Sequence, residues 1–141
     1  MRDSTIFPTI EFNTEQADTT SGLYVSTGLR SALLLDIERS GFRLFHLDGK
    51  RIIDRSSYFQ ALAHLFEFGS HFGQNWDALA DSLTDCSWGK NDRIVVVYSD
   101  YESFATSDPD AWAIAMEIWT STVMFWQAQG VKLSIVFQVS S

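Results

Sequence analysis

Apolar residues recur along the chain in two rhythms. The segments "RIVVVYS" (residues 93–99) and "VKLSIVFQV" (131–139) are short, continuous Val/Ile-rich runs of the kind that fill strands covered on both faces. "FRLFHLDGKRI" reads as a further strand ending at the Asp48-Gly49 turn signal, and Leu23 to Val25 reads as a short one. Between these runs the spacing changes to three and four residues. A helix is expected from about Gly28 to Ser40, closed by Gly41 in the place of a C-terminal glycine cap. Another follows Asp54 as N-cap, carries Phe59, Leu62, Ala63 and Phe66 on one face, and ends at Gly69. A third begins near Gly73 or Gln74, with Trp76, Leu79, Ala80 and Leu83 together. The last has Asp108 as cap, Pro109 in its first turn, a stripe through Trp112, Trp119, Val123 and Trp126, and Gly130 as stop. Strands separated by helices predict an α/β layer with a mostly parallel sheet.

The first 21 residues break both rhythms. They hold one small apolar patch at Ile6, Phe7 and Ile10 followed by a polar run, and are expected to form a flexible or loosely docked extension, with the domain proper spanning 22–141. Nothing in residues 1–22 has the continuous apolar core of a signal peptide or a membrane anchor.

Composition narrows the possible partners. The 141 residues are 45% apolar, enough for one domain with a genuine core. Ten basic residues against eighteen acidic ones give a net charge of -8, which argues against nucleic acid or an anionic membrane and favours basic partners. The imbalance is local: residues 71–110 hold eight acids and two bases. A single cysteine, Cys86, cannot form an internal disulfide, which is compatible with the cytoplasm expected for this chain.

The acids converge on "HFGQNWDALADSLTD" (71–85), where Asp77, Asp81 and Asp85 repeat every four residues with no cation between them. Such repulsion costs a helix roughly 0.2–0.5 kcal/mol per pair. A solvated, solubilising face and a carboxylate comb meeting cations on another molecule both fit the pattern. A hydrolase using Asp77 and Asp81 as an acid/base pair or metal ligands is weaker, because no histidine converges on them. His46 and His64 lie within apolar patterns and are expected at the edge of the core, whereas His71 lies in the loop ahead of the acids. No Cys/His metal spacing, phosphate-cradling glycine loop or nucleophile elbow is present, so no cofactor or metal is expected.

"FGQNWDALADSLTD", with "FHLDGKRIID" before it and "IVVVYSDYESF" and "WQAQGVKLSIVF" after, resembles the barstar family over about residues 41–138. The core of the likeness is Gly73, Asn75, Asp77, Ala78, Leu79 and Asp81. The resemblance implies a small, mostly parallel three-stranded sheet packed with helices, here with an added N-terminal extension. It implies a cytoplasmic inhibitor or immunity protein against a basic ribonuclease or nuclease toxin, with no catalysis, nucleic-acid binding or membrane binding of its own, monomeric when free. The cleft-plugging acid is carried onto Asp81, the supporting acid onto Asp77, and the loop backbone facing the enzyme onto Gly73 and Asn75.

Four positions depart from the type member. His71 replaces a tyrosine, Ala80 an interface tryptophan, Phe125 a glutamate and Trp76 a leucine, substitutions expected to retune partner choice. The candidate contact set is therefore His71, Phe72, Gly73, Asn75, Trp76, Asp77, Ala80, Asp81 and Phe125, with Asp85 at the rim. The alternative is a non-inhibitory module that grips another partner through the acidic helix or through apolar Ile114, Ile118 and Phe125.

Overall fold

The computed structural model describes residues 7–85 and 92–139. Cys86 and Ile6 therefore lie outside the described residues. In chain order the elements are α1 (Thr14–Ala17), β1 (Gly22–Ser26), α2 (Arg30–Arg39), β2 (Arg43–Asp48), a 3-10 turn (Gly49–Arg51), α3 (Arg55–Leu65), α4 (Trp76–Asp85), β3 (Arg93–Ser99), α5 (Glu102–Ser107), α6 (Pro109–Ala128) and β4 (Lys132–Gln138).

The two continuous apolar runs become the central strands, and beyond their first residue every position of β3 and β4 is buried. Alternate side chains then point to opposite faces. Ile94, Val96 and Tyr98 join Leu133, Ile135 and Phe137 in a large core under α3, α4, α5 and α6. Val95, Val97 and Val136 face the other way and meet Phe12, Ala17, Tyr24, Ile37 and Phe42. Coverage on both faces is the reason these strands carry no polar alternation.

The sheet has four strands, in the order β1-β4-β3-β2, and every pairing is parallel. This corrects the three-stranded expectation. The added strand is β1, whose Leu23 and Val25 pair with Ile135 and Phe137 and so satisfy the outer edge of β4. A five-residue strand beginning with glycine and ending with serine has too weak a pattern to reveal which edge it joins. Residues 7–21 also touch the body of the protein. Val25 N–H donates to the Ile10 carbonyl at 2.9 Å, Phe12 N–H donates to the Val25 carbonyl at 2.8 Å, and Phe12 and Ala17 are buried.

Local signals account for the helix ends. Asp54 Oδ1 accepts from Ser57 N at 2.9 Å while Ser57 Oγ accepts from Asp54 N at 3.2 Å, a reciprocal capping box. Asp108 Oδ1 accepts from Ala111 N at 3.2 Å, with Pro109 as the first helical residue. Gly41 and Gly130, both at φ 85°, close α2 and α6 as expected. Among the described residues no helix is long and apolar enough to cross a membrane.

Candidate functional site

The acidic segment folds as a turn leading into α4. The Asn75 N–H donates to Gly73 O at 2.6 Å, which tightens the turn, and Asn75 Oδ1 accepts from Ala78 N at 2.8 Å. Asn75 is thus the N-cap, and α4 starts at Trp76, two to three residues later than the sequence suggested. Asp77, in the first turn, complements the positive end of the helix.

Helical periodicity then separates the two sides of α4. Leu79 and Leu83 are fully buried in the main core, while Asp77, Asp81 and Asp85 are exposed. His71, Gly73 and Asn75 are exposed in or beside the preceding turn, and Ala80 is half-buried. The aromatic members behave differently. Phe72 is half-buried, its ring 5.0 Å from that of Phe68. Trp76 is also half-buried, edge-on to Phe59 at 4.8 Å, and its Nε1 is shut from solvent without a hydrogen-bond partner. Phe125 lies on α6, 39% exposed, with its ring perpendicular to that of Trp126 at 5.1 Å.

Sequence reasoning did not single out the bond that ties these two helices. Trp126 Nε1 donates to the Leu83 carbonyl at 2.8 Å. Its seven-residue spacing from Trp119 marked Trp126 as core, and spacing within one helix holds no information about a carbonyl on another.

Two other polar places bear on the catalytic alternative. An open groove of about 530 Å³ is lined by Gln74, Asn75 and Trp76 together with Asp54, Phe59 and Asp108. Its two carboxylates both serve as helix caps, a structural task that explains their presence. At the carboxyl ends of β2 and β3, His46 Nε2 and Ser99 Oγ share a hydrogen bond of 2.9 Å, beside an Arg30–Asp100 ion pair at 3.5 Å. Burial holds the His46 imidazole below its ordinary pKa, with Arg30 acting in the same direction and Asp48 and Asp100 against it. Ser99 is fully buried and so is inaccessible as a nucleophile. His46 is half-buried, whereas His64, expected at the core edge, is exposed. Among the described residues no group of three His, Cys, Asp or Glu side chains is gathered as metal ligands would be.

A parallel sheet, a capped acidic helix and a tight Gly73–Asn75 turn form one constellation, and a family model described as Barstar (barnase inhibitor) matches residues 42–138, more than half of the chain. The chain belongs to the barstar family. No curated protein matches it. The family is one of inhibitors that bind ribonucleases, rather than of enzymes. The barstar match contains α3 to α6 with β2, β3 and β4, and hence the whole acidic segment. It leaves out α1, β1 and α2, which cover the second face and the outer edge of the barstar sheet.

Proposed function

We propose that this protein is a ribonuclease inhibitor of the immunity type, which blocks the active site of a basic nuclease with α4 and the turn before it. The observation that carries the reading is the division of α4: Leu79 and Leu83 anchor it in the core while Asp77 and Asp81 stay in solvent on a helix capped by Asn75. A nuclease cleft holds RNA phosphates with cationic side chains. Carboxylates fixed on a rigid helix can take those phosphate positions, and pairs with arginine are charge-assisted and directional. Asp81 is the principal plug and Asp77 its support. His71, Phe72, Gly73 and Asn75 frame them from the turn, with Trp76, Ala80 and Phe125 at the margins. The net charge of -8 attracts a basic enzyme from a distance and speeds encounter. The protein acts in the cytoplasm, as a monomer when free.

The test is titration of barnase, and of any nuclease coded beside this chain, with wild type, Asp81→Ala and Asp77→Ala. Loss of a central charged anchor costs at least about 2 kcal/mol, or roughly thirtyfold in affinity, and Asp81→Ala should show it. Inhibition unchanged by Asp81→Ala would overturn the assignment.

A second reading is favoured by the exposure of Ile114 and Phe125 on one side of α6, at 38% and 39%, with Ile118 half-buried between them. In that reading the same scaffold docks a non-nuclease protein through an apolar helix face. Ionic strength separates the two: association through α4 slows steeply as salt rises, and apolar docking hardly responds.

A further inference from the structure

The hydrogen bond from Trp126 to Leu83 crosses from the last turns of α6 to the last turns of α4, two helices that pack together. Leu83 stands two residues before Asp85, the last described residue of α4, and its carbonyl accepts this bond on the side that faces α6. At the other end the helix is tied by Asn75 to the amide of Ala78. The two ties differ in kind. Asn75 is local and fixes where the helix begins, whereas Trp126 comes from forty-three residues away and fixes where its far end lies.

Leverage makes the second tie matter. Asp81 lies six residues, or about 9 Å, beyond the capping Asn75, so a pivot of about 7° about the capped end moves it by about 1 Å. That is enough to spoil paired hydrogen bonds between a carboxylate and a guanidinium. The Trp126 ring also supports Phe125, which meets it edge-to-face at an interplanar angle of 89°.

We propose that Trp126 is a positioning residue that locks the C-terminal half of α4 onto α6, so that Asp81 on one helix and Phe125 on the other are presented as one composite surface to a basic protein. The role deepens the inhibitor reading and rests on it for the nature of the partner.

The test separates the two. Amide hydrogen exchange is followed by NMR in the free, full-length protein, comparing wild type with Trp126→Phe, which keeps a ring and removes the donor, and with Asn75→Ala and Asn75→Asp. A net hydrogen bond of about 1 kcal/mol corresponds to about a fivefold change in opening. Trp126→Phe should speed exchange by about that factor in the second half of α4 and leave β3 and β4 unchanged. Asn75→Ala should act on the first turn, and Asn75→Asp, which can still cap, should restore it. Unchanged exchange in α4, or an equal increase throughout the sheet, would overturn the positioning role. In binding, barnase is titrated with Trp126→Phe, Asp81→Ala and the double variant. The Trp126→Phe penalty should shrink when Asp81 is absent, and a penalty that persists in full overturns the coupling. The exchange measurement needs no partner, so its failure counts against Trp126 alone, whereas failure of wild type to inhibit any nuclease counts against the inhibitor reading.

Discussion

His46 and Ser99 share a hydrogen bond of 2.9 Å at the carboxyl ends of two adjacent parallel strands, and it joins a half-buried imidazole to a fully buried hydroxyl. Burial favours the neutral ring, so the folded-state pKa lies below the unfolded value near 6.5. The stability this group contributes is complete above the unfolded value and is lost as the pH falls through the folded one. Urea midpoints measured between about pH 7.5 and 5 should therefore fall more for wild type than for His46→Gln. Parallel pH profiles for the two proteins would contradict the assignment.

The segment preceding the barstar match should be required for a stable fold. Deleting residues 1–40 removes Phe12, Ala17, Tyr24 and Ile37 from the second core and frees the β4 edge, uncovering Val95, Val97 and Val136. The truncated chain is expected to bind a hydrophobic dye or aggregate. Ile37→Ala, at a fully buried site in the intact chain, should cost about 2–5 kcal/mol in urea unfolding. A truncated chain with an unchanged melting temperature would show the extension to be dispensable.

Trp76 offers the opposite sign. Its Nε1 is buried without an acceptor, a penalty of about 1–3 kcal/mol, while its ring packs against Phe59. Trp76→Phe keeps an aromatic ring and removes the orphaned donor, so stability should be unchanged or higher. A loss above about 1 kcal/mol would mean that ring area outweighs the donor.

The three aspartates should separate by role. Asp85 lies four residues beyond Asp81 on the exposed side of α4, so the two carboxylates repel. Asp85→Asn relieves one such pair and should raise stability by about 0.2–0.5 kcal/mol while leaving inhibition intact, whereas Asp81→Asn relieves two, should gain about twice as much, and should lose affinity. Equal affinity losses at both positions would place Asp85 inside the interface.

Much of the fold was legible because its signals are local. The Asp54 capping box, the Asp108-Pro109 start, the glycine stops at Gly41 and Gly130, and the continuous burial of β3 and β4 all follow from a few adjacent side chains. The start of α4 lies two to three residues beyond the expected one because Gly73, Gln74 and Asn75 can each begin a helix, and the Asn75 to Ala78 bond decides among them. β1 is legible as a strand, but the edge it joins is not, because edge pairing is a matter of backbone groups that composition does not mark.

The sequence by itself determined the layered α/β architecture, the acidic repeat and the constellation shared with the barstar family, because periodicity, caps and charge are properties of neighbours along the chain. Tertiary structure alone decided that residues 7–40 close the second face of the sheet and that Trp126 reaches Leu83. Those contacts join residues tens of positions apart. Their formation depends on how two elements pack, and no local pattern encodes the angle and distance at which a helix meets its neighbour.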